Sequence, residues 1–393
     1  MRILKKILRR IKNIFENNFL ALFFRLLPIE KIILFESVPD LSDNSKAVFD
    51  EMVRRGINKH YQLVWLIRGE RREHCAIENV TYVCAEGRTF KERMYVLRLK
   101  NTARCLVCCN YFLTSNRKGQ SSFYLGHGSP IKSVRGYYNM PENIDHCLVA
   151  APDIVDVMSY EMKIEKNKIF SCGYPRNDVL CTPGRDLHEI FKRDYNKVIV
   201  WYPTFRQHAC GGSKLTQNAL PIIHDAQKAK TLNEFAEKNG VLIVIKPHFA
   251  QDLGYIKDLK LNNILFIDEK WLSDNGITSY EFVGSCDSLI TDYSSIYYDY
   301  TLCNKPIALI WEDYEEYEKN VGFAVDMNKY MKGAEKIYTL EDFLSFIHNV
   351  TTGADPCKND REEIKNLVNF SDDGKSAQRV VDFILGKIAC EVE

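Results

Sequence analysis

Short apolar runs, each closed by a glycine, a proline or a polar turn and each followed by helical periodicity, recur along most of the chain, and this alternation restricts the fold more than any other feature. In the first half, residues 32–37, 61–67, 80–84, 105–109, 124–126 and 146–150 read as strands. One helix opens near Ser42 or Asn44 and runs to Arg55, and another covers residues 88–100. The second half repeats the pattern with strands at 198–203, 241–246, 264–267, 288–291 and 307–311 and helices near 231–239, 295–303 and 339–350. Strands that alternate with helices in this way imply largely parallel sheets covered on both faces. A length of 393 residues with 46% hydrophobic content fits two such units rather than one. The expected fold is therefore α/β, with Rossmann-like domains over 31–185 and 186–393 facing a cleft. A last helical pattern at 376–388 carries no sign of which half it joins.

Residues 1–30 stand apart. Arg2, Lys5, Lys6, Arg9, Arg10 and Lys12 fall on one helical face and Ile3, Leu4, Ile7, Leu8, Ile11, Ile14 and Phe15 on the other. Arg25 and Pro28 end the apolar surface short of the roughly 20 residues that span a bilayer. We expect an amphipathic helix on the anionic cytoplasmic leaflet, holding the protein peripherally at the membrane; packing on its own protein is the alternative. The net charge of +1 gives no reason to expect nucleic acid. Thirteen cysteines, an odd number set mostly in apolar runs without a cleavable signal sequence, point to a reducing cytoplasmic setting. Cys105 and Cys108 form a lone C-x-x-C with no second pair, so no metal is expected.

The chemistry-bearing residues cluster where strands end. In Leu289-Ile290-Thr291-Asp292-Tyr293-Ser294-Ser295 a buried strand gives way to a helix, where Ser294 or Ser295 can cap and free amides can meet a phosphate. His127 lies between Gly126 and Gly128 at the carboxyl edge of the first sheet, where it can accept a proton, although a turn histidine bonded to backbone would look the same. His248 follows Lys246-Pro247 at another strand end, and Arg206 follows Tyr202-Pro203-Thr204-Phe205 as a candidate phosphate clamp. Arg176 sits in Gly173-Tyr174-Pro175-Arg176-Asn177-Asp178, read as a turn that caps a helix through Asn177 or Asp178. The role of the Asp292 carboxylate beside an anion site is open: it could orient a hydroxyl, a histidine or a metal, or accept from loop amides. Asp313 follows the next strand and can line the same edge. The P-loop, the dinucleotide glycine fingerprint and the Gly-x-Ser-x-Gly elbow are all missing.

Taken in order, these fragments resemble the CDP-glycerol glycerophosphotransferase family of teichoic-acid synthesis, over most of residues 31–330. The carrying motifs are Asp43-Asn44-Ser45-Lys46-Ala47, His127-Gly128-Ser129-Pro130-Ile131-Lys132, Gly173 to Asp178, Tyr202 to Arg206, Lys246-Pro247-His248, Ile290 to Ser295, Lys305-Pro306, Asp313 to Tyr317 and Gly322-Phe323. The resemblance implies a GT-B-like fold and transfer of glycerol phosphate from CDP-glycerol, or ribitol phosphate from CDP-ribitol. The acceptor it implies is a hydroxyl of a polyprenyl-diphosphate-linked saccharide or polymer, and CMP is released without a cofactor. It places the two important histidines at His127 and His248. The donor diphosphate falls to Arg206, Lys246, Thr291, Asp292, Ser294 and Ser295, with Gly128, Ser129, Lys132, Arg176 and Asp313 around them. Gly126 and Ser129 stand where the family usually has Trp and Thr, and Phe249 where Pro often follows. A GT-B glycosyltransferase or epimerase using a nucleotide sugar, and a non-catalytic membrane-tethered binding protein, are the competing readings.

Overall fold

A computed structural model describes residues 20–69, 76–204, 220–247, 253–256 and 259–390. The basic helix expected within residues 1–30 lies largely outside them, as do Arg206 and His248. The described residues form two sheets whose strand pairings are all parallel. The first contains β1 (Glu30–Glu36), β2 (Gln62–Ile67), β3 (Val80–Cys84), β4 (Ala103–Cys108), β5 (Ser121–Tyr124), β6 (His146–Val149) and β7 (Ile169–Ser171), in the order β3-β2-β1-β4-β5-β6-β7. The second contains β8 (Lys197–Trp201), β9 (Val241–Ile245), β10 (Ile264–Phe266), β11 (Ser288–Thr291), β12 (Ile307–Ile310) and β13 (Glu335–Ile337), in the order β10-β9-β8-β11-β12-β13.

The central strands are largely apolar because both faces of each sheet are covered, and side chains alternate between them. Ile33 and Phe35 of β1 enter one buried cluster while Ile32 and Leu34 enter another. In β8, Ile199 and Trp201 pack on one side, and Val198 and Val200 on the other. The cluster holding Leu34 and Val64 also holds Val200 and Leu289, so one continuous core joins the two sheets. Backbone bonds add to it: Lys132 bridges Phe323 in antiparallel fashion, Ser133 N–H donates to Gly322 O (3.1 Å), and Ala324 N–H to Ile131 O (2.8 Å).

Two expectations are corrected, and one left open is filled in. The run placed at 124–126 is instead the Ser121–Tyr124 strand, which leaves Gly126 and His127 beyond its end. The Ser376–Cys390 helix, which the sequence assigned to neither half, packs on the first sheet: Val380, Val381, Ile384 and Ile388 share a buried cluster with Ile33 and Trp65. Asp178 caps no local helix. Its two carboxylate oxygens accept from Ser376 N–H and Ala377 N–H, both at 2.8 Å, and so fasten the start of that last helix 198 residues away in sequence. The edge strands β7 and β13 were not anticipated; each is three residues long, and Glu335-Lys336-Ile337 has no apolar run to betray it.

Candidate functional site

In each sheet the strand order reverses between the first and fourth strands, β1/β4 and β8/β11, and crevices for ligands open at the carboxyl ends of such strand pairs. A buried acid bridges both reversals. In the first sheet Glu36 Oε2 accepts from Asn110 N–H (3.1 Å) and Tyr111 N–H (3.0 Å), while Oε1 accepts from Arg68 (3.0 Å).

In the second sheet the acid is Asp292, which is fully buried. Its Oδ2 accepts from Thr204 N–H at 2.7 Å, and its Oδ1 accepts from the Thr204 hydroxyl and from Tyr293 N–H (2.7 Å). Thr291 Oγ1 donates to Tyr202 O at 2.8 Å. The Asp292 carboxylate therefore orients a hydroxyl and loop amides, tying the Tyr202-Pro203-Thr204 turn after β8 to the turn after β11. Tyr293 extends the arrangement by donating to Asp313 Oδ1 (3.0 Å).

The expected capping serine is corrected as well. Ser295 precedes the Ile296–Tyr300 helix with αR backbone angles (φ −61°, ψ −16°) and makes no side-chain capping bond. Capping requires an extended residue whose side chain folds back on the first turn. The turn closes through backbone instead, Tyr297 N–H to Ser294 O (3.2 Å) and Tyr298 N–H to Ser295 O (3.0 Å).

His127 is exposed, in a loop that two glycines at positive φ allow, Gly126 at +61° and Gly128 at +140°. Its Nδ1 lies 3.4 Å from Cys109 O, just past β4. In the tautomer carrying the proton on Nδ1 this contact steadies the ring and leaves Nε2 as a proton acceptor. Asn44 secures the same loop by donating to Leu125 O (3.2 Å) and Gly126 O (3.0 Å). Gly128 meets the second half directly: a methyl carbon built on it would lie 2.2 Å from Ser295 Oγ and 3.3 Å from Arg176 Nη2. Thus the fold brings Gly128, Arg176 and Ser295 into one contact, although they are remote in sequence.

The other candidates are dispersed around this point. Ser129 is buried, with its hydroxyl 3.5 Å from Tyr174 OH. Lys132 lies in the inter-sheet bridge. Lys246 pairs with Glu269 (2.7 Å) and stands over the Tyr202 ring (5.2 Å) at the end of β9. Cys105 and Cys108 face opposite sides of β4 and cannot converge on one ion. Among the described residues no group of three or more His, Cys, Asp or Glu side chains is placed to hold a metal.

Sequence reasoning missed Asp299 and Tyr280. Asp299 is 2% exposed, and its oxygens accept from Asn177 Nδ2 (2.7 Å), Arg176 Nη2 (2.8 Å) and Tyr280 OH (2.6 Å). Burial pushes the Tyr280 phenol well above its ordinary pKa, which keeps it a donor. A signal existed: one carboxylate in the apolar helix Ile296-Tyr297-Tyr298-Asp299-Tyr300 is a buried charge that needs partners.

The model of the CDP-glycerol:poly(glycerophosphate) glycerophosphotransferase family matches residues 19–386. The chain belongs to that family. Among its relatives, the teichoic acid poly(glycerol phosphate) polymerase of Bacillus spizizenii is 23% identical over 93% of this chain and 96% of its own length. The teichoic acid glycerol-phosphate transferase of Staphylococcus aureus is 22% identical over 82% and 85%. A structure of the wall teichoic acid polymerase TagF, a variant soaked with CDPG, superposes with a TM-score of 0.72 at 20% identity, covering 99% of this chain and 98% of that one. At that identity the likeness establishes the fold, which is GT-B-like. A putative UDP-N-acetylglucosamine 2-epimerase from Listeria monocytogenes superposes less closely, at a TM-score of 0.52 and 10% identity over 92% and 97%. Membership of the glycerophosphotransferase family makes the chain a transferase of the CDP-polyol type, as the resemblance implied.

Proposed function

We propose that the chain moves glycerol phosphate, or a related polyol phosphate, from CDP-glycerol or CDP-ribitol to a hydroxyl of a polyprenyl-diphosphate-linked acceptor and releases CMP. The observation that carries this reading is the contact of Gly128 with Ser295, which sets the His127 loop against the Ser294 and Ser295 turn. A general base and an anion-binding turn held together in this way suit phosphoryl transfer, where positioning and charge stabilisation supply most of the rate. The acceptor oxygen attacks the phosphorus that bears the polyol as its proton passes to His127 Nε2. The bond from that phosphorus to the bridging oxygen of CMP breaks, and the electron pair leaves with CMP. Ser294, Ser295 and Lys246 face the donor, with Thr291 and Asp292 shaping the turn. His248 and Arg206 are assigned to the donor diphosphate, whose charge they stabilise as CMP departs, on sequence alone.

In this reading residues 31–185 take the acceptor and 186–393, without the last helix, take the CDP donor across a cleft. Residues 1–30 rest on the cytoplasmic face of the membrane and bring the site to a lipid-linked acceptor. No helix among the described residues is long and apolar enough to cross a membrane. Leu22, Phe23 and Leu26 are exposed beside the basic segment, which supports surface association.

The test is a donor panel of CDP-glycerol, CDP-ribitol and UDP-N-acetylglucosamine with a lipid-linked saccharide acceptor. CMP release with a matching mass gain on the acceptor is expected. UDP release or epimerised sugar would contradict the reading, as would intact donor in every arm.

A further inference from the structure

Arg176 is a candidate phosphate ligand by residue type, but its surroundings argue for a different task. The side chain is 10% exposed, and its two terminal nitrogens are both engaged: Nη1 donates to Asp43 Oδ1 and Nη2 to Asp299 Oδ2, each at 2.8 Å. One guanidinium faces two carboxylates, so no surplus positive charge remains for a donor diphosphate. The plane lies over the Tyr280 ring (4.8 Å), which holds it where an incoming anion would have to displace a carboxylate.

We propose that Arg176 is a positioning residue that sets the register between the His127 loop and the Ser294 and Ser295 turn; the proposal rests on the transfer reading above. On one side Arg176 N–H donates to Asn44 Oδ1 (3.1 Å), and Asn44 Nδ2 holds Leu125 O and Gly126 O. Asp43, beside Asn44, reaches Arg176 from a left-handed backbone conformation (φ +61°) that aspartate tolerates better than most side chains. On the other side Asp299 is the fourth residue of the short helix that begins directly after Ser295. A shift of Asp299 therefore moves the serine turn, and a shift of Asn44 moves the histidine loop. Asn177 and Tyr280 also donate to Asp299, so three donors together fix the position of its carboxylate. Arginine is required because its planar fork reaches both carboxylates at once, whereas a lysine ammonium is a point charge.

Arg176→Lys separates this role from anion binding. Kinetics are measured with CDP-glycerol and a lipid-linked saccharide. Hydrogen–deuterium exchange is followed on the full chain without substrate. A misplaced reacting group is expected to lower kcat by at least about tenfold while the CDP-glycerol KM moves less than about threefold. Peptides covering 124–130 and 294–303 should exchange faster, with β1, β2, β8 and β9 unchanged. A raised KM at unchanged kcat, or exchange identical to the parent, would overturn the proposal. Should the parent turn over no CDP-polyol, the transfer reading fails, while the exchange pattern still decides whether Arg176 couples the two segments. Should Arg176→Lys not fold, Tyr280→Phe keeps the ring under the guanidinium and removes one donor from Asp299. It should loosen the same two segments to a smaller degree, and unchanged exchange there counts against the proposal.

Discussion

Gly128 packs on Ser295 so closely that a methyl carbon on the glycine would lie 2.2 Å from the serine oxygen. The contact joins a loop of the first sheet to a turn of the second, and it fixes which residue types each side tolerates. Gly128→Ala adds that carbon and also forces a side chain onto φ +140°. The expected cost is about 1–3 kcal/mol of stability, with CMP release reduced further than stability alone explains. Adding Ser295→Gly should relieve the clash but not the backbone strain. Chemical denaturation and CMP assays on the single and double variants check both parts, and full parental activity in Gly128→Ala would show the contact to be slack.

Asp292 holds Thr204 through both its amide and its hydroxyl. Asp292→Asn turns one acceptor oxygen into a donor that must face Thr204 or Tyr293 N–H within a fully buried pocket. A loss of about 1–3 kcal/mol is expected, along with faster exchange of the amides of residues 202–204. Parental stability in a urea titration would mean that the carboxylate is not what keeps the two turns together.

The serine turn, the parallel sheets and the histidine between glycines were legible in the sequence because each depends on local order: apolar periodicity, turn chemistry, strand ends. What was illegible depends on distance. Asp178 reads as a local cap, yet its partners are Ser376 N–H and Ala377 N–H, which only the returning last helix supplies. Arg176 reads as part of a capping turn, and nothing local shows that Asp43 and Asp299 hold it from two directions. Ser295 reads as a capping residue, but the backbone enters the helix already in αR geometry and the side chain cannot fold back. Asp292 showed its charge in the sequence and withheld its partner, Thr204, which lies 88 residues away.

His146 ties the last helix to acid stability. Its ring stacks on Phe123 (4.8 Å) and meets Phe383 of that helix edge-on (5.4 Å). Burial, with Lys387 adding to it, lowers its pKa from 6.5 to about 4. The unfolded chain then binds a proton at His146 that the folded chain refuses, so stability falls as pH drops from about 6.5 toward 4 and is flat above. His146→Phe should lessen that fall, as read from urea midpoints at pH 5 and pH 7. An equal pH slope in both proteins would rule out His146 as the source.

The most direct test of the transfer site is the rate of CMP release from CDP-glycerol with a lipid-linked acceptor, parent against His127→Ala. His127 is exposed and carries no core packing, so the variant should melt with the parent while its turnover falls by about 10²–10⁴-fold, the usual contribution of a positioned general base. Near-parental turnover in a folded His127→Ala protein would contradict the account.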